Sequence, residues 1–238
     1  GTDPYKMLDG LAGRLIRIET NRTRSLEGLR TVYLRPLSSE NNTRYTDWIV
    51  SRLEYVQSKG GPNLGYVHIP DMGEEGMQQF AKYFYSQLDK DGIVIDVRGN
   101  GGGIINAMIL ERLNRVIYEY DQARRGAPVP YHRHGVIQKF IVLCDENTAS
   151  DGEYFCTGFR AMKLGPVVGK RTWGGFAGVG GVTLVDGGFV SIPAISSYDP
   201  SGKWFPDGTG FPPYIQVDQD PAKVNAAQNP RLDRALSW

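Results

Sequence analysis

The sequence predicts an α/β fold with a parallel sheet, and three observations carry that prediction. Apolar strand-length runs recur at residues 64–69, 93–97 and 140–144. Each is followed by apolar residues at helical spacing: Met77, Phe80, Ala81, Phe84 and Leu88; then Ile105, Met108, Ile109, Leu113, Val116 and Ile117; then Tyr154, Phe155, Phe159 and Met162. Glycine- or turn-rich segments separate strand from helix, as in Asn100-Gly101-Gly102-Gly103. Strands that are apolar throughout, alternating with helices, are buried on both faces, which is the signature of a parallel sheet under helical layers.

In chain order, residues 4–8 read as a short helix, 14–19 as a strand, 20–28 as a turn-rich stretch and 30–35 as a second strand, ended by Pro36-Leu37-Ser38-Ser39. Two strands and one short helix bury little core by themselves. Residues 1–37 are therefore assigned to part of a small β domain, and 38–238 to the main domain. A short helical pattern at 48–55 leads into the turn Gly60-Gly61-Pro62-Asn63, after which the alternating core begins. Beyond Pro166 come short β segments at 182–185 and 189–192 with glycine-rich turns, and a helical tail at 230–236. There is no internal repeat or low-complexity segment.

Composition narrows the function classes. With 40% hydrophobic and 22% charged residues the chain is neither disordered nor collagenous. No apolar run approaches the roughly 20 residues of a membrane-spanning helix. A formal charge of +1 offers no net attraction to nucleic acid or anionic lipid. Two cysteines, Cys144 and Cys156, make no disulfide framework and are read as free thiols. No His/Cys/Asp cluster has metal-ligand spacing, so no metal or cofactor is expected. The sequons at Asn21 and Asn41 are short enough to arise by chance. The chain starts Gly1-Thr2-Asp3 without Met or a signal-peptide pattern, so an upstream portion is expected; a cytoplasmic setting is expected, with a periplasmic or secreted one left open because that N-terminal region is missing.

Two motifs could carry chemistry. Ser150 follows the 140–144 strand by a short loop and opens the third helix. There the helix N-terminus favours developing negative charge, which suits a serine nucleophile with an adjacent N–H as oxyanion donor. Ser150 with Glu153 three residues later also fits a capping box, and both readings stand. The second motif is Asp96-Val97-Arg98-Gly99-Asn100-Gly101-Gly102-Gly103, between a buried strand and a helix. Its bare glycines leave backbone N–H groups open to an oxyanion or a phosphate. A dinucleotide fingerprint would need glycine where Ile104 stands, and a P-loop would need Lys then Ser/Thr where Ile104-Ile105 stand. A plain tight turn is the alternative.

Together these motifs resemble the S41 family of serine peptidases, specifically its tricorn branch. The resemblance lies in Gly65-Tyr66-Val67-His68-Ile69-Pro70-Asp71-Met72, Val94-Ile95-Asp96-Val97-Arg98 with Asn100-Gly101-Gly102-Gly103, Ser150-Asp151-Gly152, Val168-Gly169-Lys170-Arg171-Thr172-Trp173-Gly174-Gly175 and Pro230-Arg231-Leu232-Asp233-Arg234-Ala235. It implies a crotonase/ClpP-like α/β spiral core. Leu8-Asp9-Gly10-Leu11-Ala12-Gly13 before a strand resembles the C-terminal part of the PDZ domain that precedes the catalytic domain in this family.

The resemblance also implies roles. Ser150 would be the nucleophile, and Asp151 and Gly103 the backbone oxyanion donors, with Gly102 adjacent and open as an alternative. Asp121 would select a basic substrate side chain; read by itself, it is a loop carboxylate paired with Arg124 or Arg125. Asp207 stands where the family has a catalytic-network glutamate, one methylene shorter, in a Pro206-Asp207-Gly208 sequence that is also an ordinary turn. Peptides are the implied substrates, without nucleic acid or membrane, and with self-association left open.

The base is missing from this pattern. One branch of the family uses a lysine, but its position here is Gly175. The tricorn branch uses a histidine upstream of the PDZ domain, and the chain starts inside the PDZ-like part. His68, His132 and His134 are read as structural or surface residues. The resemblance thus implies a peptidase fragment that is inactive alone. The rival is a non-catalytic binding or scaffold module on the same fold.

Overall fold

A computed structural model describes residues 3–131, 135 and 139–238. The chain forms two compact units, Gly1–Val50 and Ser51–Trp238.

In the first unit a 3-10 turn, Lys6–Leu8, precedes strands β1 (Ile16–Thr20) and β2 (Arg30–Leu34). They pair antiparallel from Ile16↔Leu34 to Thr20↔Arg30. The connecting turn is closed by Asn21, whose Nδ2 donates to the Glu27 carbonyl at 2.8 Å. Every residue of β2 is exposed, and a two-stranded ribbon wet on both faces has little stability of its own. Helix α1 (Asn41–Gly60) begins in this unit and is far longer than the expected 48–55. Its opening turn, Asn41-Asn42-Thr43-Arg44, is polar and carries no apolar period to betray it.

The second unit is built on five parallel strands. They are β3 (Leu64–His68), β4 (Gly92–Asp96), β7 (Lys139–Cys144), β8 (Val167–Gly169) and β11 (Ile215–Gln216), in sheet order β11-β8-β7-β4-β3. The intervening helices are α2 (Glu74–Tyr85), α3 (Asn106–Leu113) and α4 (Asp151–Ala161). The side-chain period of two divides the sheet into two faces. Val67, Ile93, Ile95, Phe140, Val142 and Val167 join Phe80, Phe84, Ile109, Phe155 and Phe159 of the three helices in one core. Tyr66, Val94, Ile141, Leu143 and Val168 are equally buried on the opposite face. There α6 (Pro230–Leu236) packs on β7 and β8 with Leu232 and Ala235. Burial on both faces is why these strands read as unbroken apolar runs.

Helix α3 stops at Leu113, four residues before the expected end: Asn114 caps it, and Val116 is exposed rather than part of the apolar face. Two short strands, β5 (Tyr120–Asp121) and β6 (Val129–Pro130), form a small antiparallel ribbon. A longer hairpin, β9 (Gly178–Thr183) with β10 (Phe189–Ile195), follows β8. A one-turn helix α5 (Pro221–Asn225) precedes α6. Among the described residues no helix is long and apolar enough to cross a membrane.

Candidate active site

Parallel strands direct the loops at their C-terminal ends to one edge, and β4 and β7 are neighbours, with Asp96 opposite Leu143. The loops after them therefore meet. Gly99 N–H donates to Asp145 Oδ1 at 2.9 Å, Thr148 Oγ1 donates to the Val97 carbonyl at 2.8 Å, and Ala149 N–H donates to the Asn100 carbonyl at 2.8 Å. These bonds deliver the chain to Ser150, the N-cap of α4, with φ 50° and ψ −122°. That conformation is sterically costly for any residue with a Cβ. Ser150 is half-buried and lines a cavity of about 330 Å³ with Asp151, Gly103, Asn106, Tyr154 and Phe176.

The glycine loop comes up beside it. Asn100 is fully buried, and its Nδ2 donates to the Ile69 carbonyl while its Oδ1 accepts Gly102 N–H, both at 2.9 Å. Gly102 C=O in turn accepts Met72 N–H at 2.8 Å, and Ile104 N–H donates to the Met72 carbonyl at 2.7 Å. A Cβ on Gly103 (φ 152°) would lie 1.9 Å from the Met72 carbonyl oxygen, so only glycine fits there. The bridge between Met72 and Gly103 leaves Gly103 N–H unused. Gly103 N–H and Asp151 N–H donate to no acceptor among the described residues, whereas Gly102 N–H is committed to Asn100. The geometry thus separates Gly103 from Gly102, which the sequence leaves open.

Side chains hold the surrounding walls. Asp151 accepts Asn106 N–H at 3.0 Å and also the Asn106 side-chain amide, joining the start of α3 to the start of α4. The Tyr154 hydroxyl donates to the Phe176 carbonyl at 2.7 Å and lies 2.9 Å from Ser197 Oγ. Glu153 is buried and accepts four hydrogen bonds, from Ser150, Thr172, Gly174 and Gly175. The sequence marks Glu153 only as the partner of a cap and gives Asn100 and Tyr154 no site role of their own. An Asx turn at Asn100-Gly101-Gly102 was the available signal for Asn100.

The remaining predicted site residues lie elsewhere. Asp207 is exposed and does not line the cavity; its Oδ1 accepts Ala177 N–H at 2.8 Å, next to the wall residue Phe176. Asp121 is exposed on β5, also outside that cavity, and forms no ion pair with Arg124 or Arg125 among the described residues. His68 is buried, with Nε2 at 3.1 Å from the Arg98 carbonyl oxygen. His132 and His134 lie outside the described residues. Gly175, where a lysine would stand in a lysine dyad, gives its N–H to Glu153 Oε2 at 2.8 Å.

Beneath the glycine loop is a buried ion pair. Asp96 accepts two bonds from Arg98 Nε, at 2.9 and 3.0 Å, and one from the Tyr66 hydroxyl at 2.7 Å. Burial alone would raise the Asp96 pKa, but the Arg98 charge and hydrogen bonds outweigh it and leave the carboxyl below its ordinary value. Burial, then the Asp96 charge, pushes the Tyr66 phenol well up, so it stays a neutral donor. Cys144 and Cys156 are free and buried, and burial raises the Cys156 thiol well above its usual value, which makes it unreactive. No group of three or more His, Cys, Asp or Glu able to hold a metal occurs among the described residues.

Comparison with known proteins places this arrangement among relatives. The model of "Peptidase family S41" matches residues 63–217. "Tricorn protease homolog 1" of Streptomyces coelicolor is 32% identical over 237 residues, covering 99% of this chain and 22% of that protein. "Tricorn protease" of Thermoplasma acidophilum is 30% identical over 237 residues, covering 99% of this chain and 22% of that protein. The crystal structure of the tricorn protease superposes with a TM-score of 0.87 at 29% identity, over 98% of this chain and 23% of that one. The chain thus spans between a fifth and a quarter of the length of these relatives.

Proposed function

The chain belongs to peptidase family S41, and from that premise we propose that Ser150 is the nucleophile of a serine peptidase acting on peptides. One observation carries the reading: the N–H groups of Asp151 and Gly103, both uncommitted, line the same cavity as Ser150. Two preorganised backbone donors beside a hydroxyl are what acyl transfer requires. Ser150 Oγ attacks the scissile carbonyl carbon, its proton passes to a base, and the two N–H groups hold the resulting oxyanion. The C–N bond then breaks, the amine leaves with the proton, and water hydrolyses the ester on Ser150.

Among the described residues that line the cavity there is neither histidine nor lysine. The base is proposed to come from outside these lining residues, and a segment beyond residues 1–238 is the proposed source. Asp207, whose Oδ1 accepts Ala177 N–H, is proposed to act by holding the segment beside Phe176. Asp121, exposed on its ribbon, is proposed to meet a basic side chain of the bound peptide. Residues 1–37, with their exposed two-stranded ribbon, fit the closing part of a PDZ-like domain.

That no described lining residue is a histidine or lysine is also what favours the second reading, a non-catalytic module. A fluorophosphonate probe decides between them on the full-length polypeptide. Labelling that disappears in Ser150→Ala supports the peptidase; a folded protein that takes no label points to the module.

A further inference from the structure

Glu153 is wholly buried, yet its carboxylate is surrounded by donors from two segments of chain. Oε2 accepts Ser150 N–H at 3.0 Å and Gly175 N–H at 2.8 Å. Oε1 accepts Thr172 Oγ1–H at 2.5 Å and Gly174 N–H at 2.8 Å. A capping box accounts for only the first of these four. The other three come from a loop about 20 residues downstream that reaches the cavity wall at Phe176 and Gly178. That loop is itself crowded, since a Cβ on Gly174 would lie 2.9 Å from both Gly210 N and Thr209 N. Thr172 Oγ1 also accepts Phe211 N–H at 2.7 Å.

We propose that Glu153 is a positioning residue for the nucleophile, its carboxylate setting both the backbone of Ser150 and the wall that faces it. The proposal rests on the reading of Ser150 as nucleophile. The peptide N–H of Ser150 defines its φ, and the next peptide plane carries the Asp151 N–H. Anchoring the first fixes a conformation that Ser150 would not otherwise hold, φ 50° and ψ −122°. The same oxygen grips Gly175, so the nucleophile and the wall cannot shift independently. Only an acceptor at both oxygens serves. Each oxygen faces at least one backbone N–H, so a glutamine in either orientation would turn its own N–H against one.

The test uses the full-length protein with Glu153→Gln and Thr172→Val, each checked by thermal melting. Peptide kcat and KM are measured together with the rate of Ser150 labelling by a fluorophosphonate. Glu153→Gln is expected to lower kcat and the labelling rate by about 10- to 100-fold, as a misplaced reacting group does, with KM changed by less than about 2-fold. Thr172→Val, which removes one of the four donors, is expected to act in the same direction but less. A folded Glu153→Gln protein with wild-type kcat overturns the proposal, because a merely structural carboxylate would lower the melting temperature and leave the folded enzyme's turnover intact. If Glu153→Gln does not fold, Thr172→Val decides: wild-type kcat overturns the proposal, and a lowered kcat at constant KM supports it. Wild-type protein that takes no label on Ser150 overturns the peptidase reading, and the positioning role with it; label on the wild type with an unaffected variant overturns the positioning role alone.

Discussion

Gly102 lies so close against Ser150 that a Cβ added to it would stand 2.5 Å from Ser150 Cβ and 3.0 Å from Ser150 Oγ. Its φ of 104° is also one that side-chain-bearing residues rarely adopt. Gly102→Ala is therefore expected to displace Ser150 and cut the fluorophosphonate labelling rate by about 100-fold. Backbone strain should cost about 1–3 kcal/mol of stability, read by denaturant titration. Wild-type labelling in a folded Gly102→Ala protein would mean the loop does not abut Ser150 in solution.

Ser150 pays for its position with a positive φ. Ser150→Gly should relieve that strain, raising unfolding stability by about 1 kcal/mol while abolishing labelling. Ser150→Ala, which keeps the Cβ, should abolish labelling without the gain. Equal stability of the two variants would count against a strained nucleophile.

Acid should act through Asp96. Its carboxyl is held below the ordinary value of 3.8 in the folded state by Arg98, so the stabilisation it provides is fully present above that value. It is lost as pH falls through the lower, folded one. Asp96→Asn leaves the Arg98 guanidinium buried and unpaired and should cost about 3 kcal/mol at pH 7. The variant's stability should also depend less on pH below about pH 4 than the wild type's. Parallel stability curves for the two proteins across acid pH would reject this account.

Asp121 tests substrate choice. In the full-length protein, Asp121→Asn is expected to lower kcat/KM on peptides with Lys or Arg before the cut by about 10-fold or more, and hardly at all on apolar ones. Equal losses on both peptide classes would return Asp121 to an ordinary surface position on its ribbon.

The base proposed to lie beyond residues 1–238 gives a fifth expectation. Residues 1–238 alone should hydrolyse peptides about 10⁴-fold more slowly than the full-length protein, the usual cost of losing the proton acceptor. Matching rates would place a base within these residues, and substitution of His68, His132 and His134 by Gln would then identify it.

The parallel core was legible because strands such as 93–97 are buried on both faces and helices such as α2 keep their apolar residues at a 3.6 period. Ser150 and the glycine loop were legible as a pair, through the order strand, loop, helix repeated twice. Other features left no trace in the pattern. The polar first turns of α1 gave no periodic signal, and the exposed Val116 imitated one beyond the end of α3. Gly102 N–H is taken and Gly103 N–H left open only because the Asn100 side chain accepts the first. Glu153 could not be told from a solvent-facing cap, because Ser-x-x-Glu is the same sequence whether its carboxylate meets water or three further donors.

The sheet order β11-β8-β7-β4-β3 follows the order of the strands in the chain without a reversal. Each strand can therefore join the edge left by the one before it as the polypeptide emerges, and none has to wedge between neighbours already paired. The loops bearing Gly103 and Ser150 follow adjacent strands of this series, so they can meet before the sheet is complete. The second face waits for α6, whose Arg231 then reaches back to Glu146 at 3.0 Å, across a separation of 85 residues. The connectivity thus lets Ser150 and Gly103 come together before the Arg231–Glu146 latch behind them closes.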